Sequence, residues 1–259
     1  MLEVNNIVKS FGGLKAVNDC SIKVEEGSIT GLIGPNGAGK TTLFNVITGF
    51  FKPDKGQISF HGERIEGLAP DKIFHKKIFR TFQITREFDQ MTVLENLMII
   101  PASQSGEKIW NTWFRPGTVR KQEKALKEKS LDVLEFVELI KLKDDYAGTL
   151  SGGQKKLLEL AKSMMAEPKI VLLDEPGAGV NPTLMKKLIS NIRKLREEKN
   201  MTFFLIEHDM DLVMNLCDPV IVMSEGKKLA EGKPAEIKQD ERVLEAYLGG
   251  QYREFDTQS

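Results

Sequence analysis

The chain has 259 residues, with 37 Lys and Arg against 37 Asp and Glu, and only two cysteines. This length provides enough apolar material for one large domain or two smaller ones. Because the formal net charge is zero, no global positive field attracts nucleic acid, which argues against a DNA-coating role. Cys20 and Cys217 are far apart and lack metal-ligand spacing, so we expect a reducing compartment.

No apolar run reaches the roughly 18–20 residues that a membrane-spanning helix requires. The most apolar stretch, 93–102, is short and is interrupted by Glu95 and Asn96. The N-terminus begins directly with strand-like alternation, so we expect no signal peptide. We therefore predict a soluble cytoplasmic protein which, if it serves a membrane, is a peripheral subunit on the inner face.

The first part of the chain predicts short strands around a glycine-rich loop. Alternating apolar residues at 2–4 and 22–24 suggest antiparallel strands that are separated by turns. The apolar run 29–33 predicts a buried strand, and apolar residues at helical spacing over 42–47 predict a helix. The loop at 34–41 lies between this strand and this helix, which is the context that a phosphate cradle requires.

That loop matches the pattern G-x-x-x-x-G-K-[ST] of phosphate-binding loops. Its three glycines let the backbone wrap tightly, so that N–H groups can face an anion. Lys40 adds a positive charge for the β- and γ-phosphates, and the Thr41 hydroxyl is placed to bind Mg²⁺. We favour this interpretation over an ordinary glycine-rich turn. The predicted nucleotide-binding residues of the loop are Gly34, Pro35, Asn36, Gly37, Ala38, Gly39, Lys40, Thr41 and Thr42.

From about residue 70 the pattern becomes helical. Residues 91–97 predict a helix whose first turn is closed by a capping box between Thr92 and Glu95. Apolar residues at helical spacing predict a second, amphipathic helix over 121–142. The alternating charges of its first turns favour a solvated face over a nucleic-acid site.

We interpret 84–149 as a helical subdomain inserted into an α/β core. The core comprises 1–83 and 150–259, and it includes an antiparallel β subdomain. The aromatic segment 110–114 predicts a local cluster that closes the insert, in preference to a membrane anchor.

After the insert, predicted helices at 154–166 and 183–199 alternate with continuous apolar runs at 170–173 and 203–206. Such runs are typical of strands buried on both faces of a parallel sheet. A final hairpin is predicted over 220–230. The fold class is therefore α/β, with a P-loop NTPase core and a mainly parallel sheet.

Acidic residues and a histidine follow the two apolar runs. The carboxyl ends of parallel strands meet at one edge of a sheet, where ligands bind. We expect Asp174 to hold Mg²⁺ through water, together with Thr41. Glu175 can orient or deprotonate an attacking water, and His208 can hold that water or donate to the γ-phosphate. The alternative, that Asp174 only caps a strand end, is disfavoured by the phosphate loop in the same sheet.

A second candidate anion site lies at 150–154. Ser151 is a good N-cap residue, and two glycines expose backbone N–H groups at the start of a helix. Because the chain already has one phosphate cradle, a second one suggests a phosphate held by another subunit. The alternative is an ordinary capped helix, which glycine weakens. The residues of this predicted contact are Ser151, Gly152, Gly153 and Gln154.

In this order, these motifs resemble those of the ATP-binding cassette (ABC) ATPases over essentially the full chain. The loop 34–41 corresponds to Walker A, 150–154 to the signature and 170–175 to Walker B. The resemblance implies that ATP and Mg²⁺ are bound, and that ATP is hydrolysed by a homodimer or by a heterodimer with a sister subunit. Asn181 departs from the pattern, since many relatives have Asp there, so the coupling of the two sites through this loop is left open.

The resemblance also assigns residues that spacing alone does not. Gln83 corresponds to the Q-loop glutamine, which contacts Mg²⁺ or the attacking water, and His208 to the switch histidine. Phe11 corresponds to the aromatic residue that stacks on adenine, and Val17 is placed with it at the nucleotide. The predicted catalytic residues are thus Lys40, Gln83, Glu175 and His208, and the predicted Mg²⁺ ligands are Thr41, Gln83 and Asp174.

Softer matches resemble the ATPases of branched-chain amino-acid importers. They comprise Arg80 to Gln83, 91–97, 178–180, 207–210 and 229–249. This resemblance implies two membrane permease subunits and, indirectly, an extracytoplasmic binding protein, with no nucleic acid. Urea and lipopolysaccharide transport ATPases are near alternatives. A soluble repair ATPase would need a long coiled-coil insertion, a translation-associated member would need two cassettes, and a GTPase would need a guanine-reading motif; we find none of these in the sequence.

Overall fold

A computed structural model describes residues 1–81, 87–102, 113 and 116–256. The prediction for Gln83 lies outside these residues, as do the predictions for all of 110–114 except Trp113, which is 80% exposed. The chain divides into two compact units. The first comprises Met1–Arg80, Lys169–Gly177 and Arg193–Ser259, and the second comprises Thr81–Pro168 and Ala178–Ile192.

The first unit contains an antiparallel sheet of four strands in the order β2-β1-β4-β5. β1 and β2 pair along most of their length, as the alternation at 2–4 and 22–24 predicts, with bulges that shift the register. Residues facing the core alternate with exposed ones near the start of β1, which is the expected pattern for a sheet with one buried face. The strands are β1 Leu2–Phe11, β2 Leu14–Val24, β4 Lys55–Phe60 and β5 Glu63–Arg64.

The same unit contains a six-stranded sheet in the order β10-β9-β3-β8-β7-β6. All strands from β9 to β6 run parallel to their neighbours, and only β10 is antiparallel. Every residue of β3, β7 and β8 is buried, which explains why these strands are continuous apolar runs. The strands are β3 Ile29–Ile33, β6 Ile78–Arg80, β7 Ile170–Asp174, β8 Thr202–Ile206, β9 Val220–Ser224 and β10 Lys227–Gly232.

Helix α1, Lys40–Ile47, begins directly after the glycine-rich loop. Its apolar residues belong to one hydrophobic cluster together with residues of both sheets. Phe44 of α1 packs against Phe204 of β8 with ring centroids 4.9 Å apart. This packing holds α1 against β8, the strand that ends just before His208. The other helices of the unit are α2 Pro70–His75, α7 Met210–Leu216, α8 Pro234–Gln239 and α9 Glu241–Asp256.

The second unit is helical where the structure describes it. The predicted capping box is confirmed at α3, Val93–Met98, where Thr92 and Glu95 bond reciprocally. The helix predicted over 121–142 is wrong at both ends: α4 spans Pro116–Phe136. Glu138 adopts a left-handed conformation with φ 59°, which ends the helix, and a 3₁₀ turn follows at Ile140–Leu142.

Helix α5, Gly152–Ala166, also belongs to the second unit, and α6, Pro182–Lys199, begins there. The predicted insert 84–149 is thus shorter than this unit, and its boundary at 149 stays a prediction. Among the residues that the structure describes, we find no helix of the length and apolarity needed to cross a bilayer.

Candidate active site

The glycine-rich loop has a backbone that only glycine permits at two positions. Gly34 has φ 146° and Gly39 has φ 96°. A Cβ on Gly34 would lie 2.0 Å from the Met223 carbonyl oxygen, and one on Gly39 would lie 2.2 Å from the Ala16 carbonyl oxygen. Both contacts are far below van der Waals distance, so any side chain at these positions would displace the loop from the core.

Lys40 occupies the first position of α1 and is only 5% exposed. Its ammonium donates hydrogen bonds to the carbonyl oxygens of Gly34, at 2.8 Å, and Pro35, at 3.1 Å. Burial lowers the pKa of Lys40, while the negative charges of Glu175 and Asp174 raise it. Lys40 is therefore a buried cation whose ammonium is hydrogen-bonded to carbonyl oxygens of the loop. A phosphate group in the cleft can replace these carbonyl oxygens as the acceptor.

A cleft of about 590 Å³ opens in front of the loop. Phe11 stands at its edge, 44% exposed, with its ring packed edge-on against Phe51 at 5.1 Å and the Lys9 ammonium 5.5 Å from its centroid. The ring is therefore held in place with part of its surface accessible for stacking. The cleft is lined by Phe11, Leu14, Lys15, Ala16, Asn36, Gly37, Ala38, Gly39, Lys40, Thr41, Thr42, Glu175, His208 and Glu225.

Val17 is not among these lining residues. Its side chain is fully buried in the hydrophobic cluster. Lys15 and Ala16, which precede it, line the cleft instead. The only indication of Lys15 and Ala16 in the sequence was that they lie next to Val17, on the strand that follows Phe11.

Glu175 and His208 meet at the carboxyl ends of β7 and β8. The His208 Nε2 atom lies 2.9 Å from Glu175 Oε1, and the side chains are 42% and 17% exposed, respectively. Glu175 has φ 49°, a costly conformation for a residue with a Cβ that is often found at functional sites. Its backbone N–H donates to the Ile206 carbonyl at 3.0 Å. The two predicted catalytic side chains thus form a pair that faces the cleft.

Asp174, the last residue of β7, is buried beside this pair. Its Oδ2 accepts a hydrogen bond from Arg80 Nη2 at 2.9 Å, and the two side chains are 3% and 6% exposed. In the sequence, Arg80 belongs to a segment that matches the family, and no role was predicted for it. A charged residue at the end of a short apolar strand was the available signal.

Glu207 is a second residue whose role the sequence did not reveal. Its carboxylate is buried and accepts hydrogen bonds from the N–H groups of Gly177, at 2.6 Å, and His208, at 3.1 Å. Burial raises the pKa of Glu207, while these bonds and one from the Asp209 backbone lower it. Glu207 therefore connects the loop after Glu175 to the backbone of His208.

The second predicted anion site, at the start of α5, is a well-formed helix N-terminus. Ser151 Oγ accepts from the Gln154 N–H at 3.4 Å, and the Ser151 N–H donates to Gln154 Oε1 at 2.8 Å. The Gln154 side chain is therefore engaged in the capping box at the start of α5. Ser151 and Gly152 are exposed. Gly153 is buried, and a Cβ there would lie 2.5 Å from Leu184 Cδ1, so a larger residue would require the Leu184 side chain to shift.

Within the described residues, no cluster of three or more His, Cys, Asp and Glu is arranged to hold a metal. The predicted Mg²⁺ donors are instead the exposed Thr41 hydroxyl and the Asp174 carboxylate. Mg²⁺ in nucleotide sites is held by one or two protein oxygens plus substrate phosphates. Thr41 and Asp174 therefore supply oxygens of the chemical type that Mg²⁺ prefers.

Comparison with known proteins gives a consistent result. The sequence profile of the family described as "ABC transporter" matches residues 17–178, and one described as "Branched-chain amino acid ATP-binding cassette transporter" matches residues 227–253. The chain is 44% identical to the high-affinity branched-chain amino acid transport ATP-binding protein BraF of Pseudomonas aeruginosa, over 96% of this chain and 98% of that protein.

It is also 43% identical to a probable branched-chain amino acid transport ATP-binding protein, LivG, of Archaeoglobus fulgidus, over 99% of this chain and 98% of that protein. Among solved structures it is similar to an ATP-binding cassette of an ABC transporter in its ADP conformation. That likeness has a TM-score of 0.81 and 41% identity, and it covers 96% of this chain and 98% of the other. These matches confirm the predicted fold class, and the chain belongs to the ABC transporter family as an ATP-binding, ATP-hydrolysing subunit.

Proposed function

We propose that this ATPase powers the uptake of branched-chain or other hydrophobic amino acids. The ATPase activity is carried by one observation, the placement of the phosphate loop and the Glu175–His208 pair around the same cleft. The cargo is supported by the relatives' names and by the match of 227–253 to a branched-chain amino acid family. Urea or lipopolysaccharide transport remains the alternative cargo.

In the proposed reaction, the loop N–H groups and Lys40 bind the β- and γ-phosphates. To do so, the Lys40 ammonium gives up its hydrogen bonds to the Gly34 and Pro35 carbonyl oxygens and donates to phosphate oxygens instead. Glu175 orients the attacking water and accepts its proton, and His208 holds Glu175 in place. Thr41 and Asp174 would hold Mg²⁺, with Gln83 as a further contact; the ion neutralises charge on the phosphates when bound.

We further propose that the chain works as a dimer, of identical or sister subunits, whose ATP sites are shared. The exposed position of Gly152, the first residue of α5, supports this, because the first N–H groups of a helix have no partner within the helix and attract an anion. In this arrangement the γ-phosphate bound by Lys40 of one subunit contacts the start of α5 in the other. The dimer would lie beneath two membrane permeases, on the inner face, and a binding protein outside would deliver the cargo.

The shared site is tested by mixing two inactive variants. Lys40→Ala removes the phosphate-binding cation, and Gly152→Asp places a negative charge at the N-terminus of α5. Gly152 is better suited than Gly153, because its Cβ would meet only the Gly179 carbonyl oxygen, at an ordinary 3.8 Å. Each variant alone has two damaged sites, whereas a mixed dimer has one intact site.

Mixing should therefore restore ATP-dependent dimerisation, measured by light scattering, while each variant alone stays monomeric. If verified mixed samples show neither dimers nor hydrolysis, the signature acts within its own chain and the shared site is refuted. The cargo is tested separately, by uptake of labelled leucine and labelled urea in cells lacking this chain. Loss of urea uptake with normal leucine uptake would contradict the proposed cargo.

A further inference from the structure

We propose that Arg80 is a positioning residue of the ATPase site, which holds Asp174 in the orientation that Mg²⁺ binding requires. This inference rests on the proposed role of Asp174 as a Mg²⁺ partner. It concerns a residue on β6 that takes no part in the reaction proposed above.

The first observation is a buried ion pair. Arg80 Nη2 donates to Asp174 Oδ2 at 2.9 Å, and both side chains are almost completely shielded from water. In such surroundings a carboxylate without its cation is strongly disfavoured. The hydrogen bond therefore holds the Asp174 carboxylate in one orientation.

The second observation is that the same guanidinium is attached to the helix of the phosphate loop. Arg80 Nη1 donates to Asn45 Oδ1 at 2.7 Å and to Thr48 Oγ1 at 3.0 Å. Thr48 in turn donates to the Phe44 carbonyl at 2.6 Å, so its hydroxyl is fixed by the backbone of α1. One planar group thus links the end of β7 to α1, whose first residues include Lys40 and Thr41.

The third observation explains why arginine is needed. The guanidinium carbon lies 5.7 Å from the ring centroid of Phe44 and 5.9 Å from that of Phe50, which favours a flat, weakly hydrated cation. A lysine could pair with Asp174 but could not also reach both acceptors on α1 with fixed geometry. The site therefore depends on the planar guanidinium of Arg80, whose two Nη atoms donate in different directions, as well as on its charge.

If Arg80 has this role, its substitution should weaken Mg²⁺ binding and should change nucleotide affinity in the absence of Mg²⁺ only slightly. The loop N–H groups and Lys40 bind phosphates without help from Asp174, whereas the metal needs Thr41 and Asp174 at a fixed separation. Partners that orient metal ligands typically contribute about 10–100-fold to metal affinity. Loss of the guanidinium should therefore reduce the gain in ADP affinity that Mg²⁺ provides.

The experiment measures the ADP dissociation constant of the purified chain by calorimetry, once with Mg²⁺ and once with EDTA. The constant measured in EDTA, divided by the constant measured with Mg²⁺, gives the gain in ADP affinity that Mg²⁺ provides. Arg80→Lys should lower this ratio about tenfold, with the EDTA value nearly unchanged. Thr48→Val, which removes one acceptor with little change in shape, should lower it less and guards against a folding failure of the first variant. The matched control is Arg242→Lys, which changes an exposed Arg–Asp pair and should alter neither constant.

An unchanged ratio in folded Arg80→Lys would overturn the proposal, as would a higher ratio, since the latter would mean that Arg80 competes with Mg²⁺. Equal weakening in Mg²⁺ and EDTA would also overturn it, since it would show a merely structural role. A wild-type ratio of one would instead refute the role proposed for Asp174. The failure of the proposed metal site is thereby distinguished from a failure of Arg80.

Discussion

Replacing Glu175 by glutamine should nearly stop ATP hydrolysis while leaving the fold and ATP binding intact. A positioned general base contributes about 10²–10⁴-fold to a rate, which corresponds to about 2.7–5.5 kcal/mol in the activation free energy. The loss in stability should be much smaller. The contact with His208 is open to solvent on the histidine side, which is 42% exposed, and even fully charged pairs at such exposure contribute only about 0–1 kcal/mol.

Backbone strain at residue 175 should be the same in wild type and in Glu175→Gln. Glu175 has φ 49°, and glutamine has the same Cβ and bears the same strain. The substitution therefore changes the charge and basicity of one side chain and little else. A suitable control is Glu225→Gln, which removes the carboxylate of another residue that lines the same cleft and should leave hydrolysis largely unchanged.

The assay combines phosphate release, ATP affinity and thermal melting for wild type and both variants. We expect Glu175→Gln to melt and bind ATP like wild type, and to accumulate as an ATP-bound dimer in light scattering. Turnover within about threefold of wild type would be incompatible with a general base and would refute the role of Glu175. Loss of turnover in Glu225→Gln as well would show that the effect is one of overall cleft charge.

Other predictions concern base selection, thiol reactivity and pH. Stacking on Phe11 tolerates any base, so ATP and GTP should bind alike, and Phe11→Ala should weaken both by about 1–3 kcal/mol; a strong ATP preference that survives the substitution would contradict this. Burial raises the pKa of Cys20 to about 11 and that of Cys217 to about 12, so a thiol reagent at neutral pH should label both only after unfolding, and rapid native labelling would be inconsistent. Burial also raises the pKa of Glu207, so its contribution to stability is fully present below the unfolded-state pKa and is lost as pH rises through the folded-state pKa. The melting temperature of wild type minus that of Glu207→Gln should therefore fall as pH rises above the usual glutamate range, and a rise would contradict the assignment.

Much of the fold could be predicted because its signals are local. The continuous apolar runs at 170–173 and 203–206 correctly indicated strands buried in a parallel sheet, since both faces of such strands are covered. The capping box at Thr92 was likewise correct, because it depends on residues three apart. The end of α4 was not predicted, since the left-handed turn at Glu138 has no glycine to signal it.

The sequence by itself determined the phosphate loop and the residue types around it, because G-x-x-x-x-G-K-T encodes a backbone that glycine permits and a cation at a fixed place. Only the tertiary structure decided which side chains meet. Asp174 pairs with Ile206 in the β7–β8 register, which places Glu175 beside His208. Arg80 reaches Asp174 because β6 lies next to β7 in the sheet. These contacts join residues far apart in the chain, and strand order and register, which no local pattern contains, bring them together.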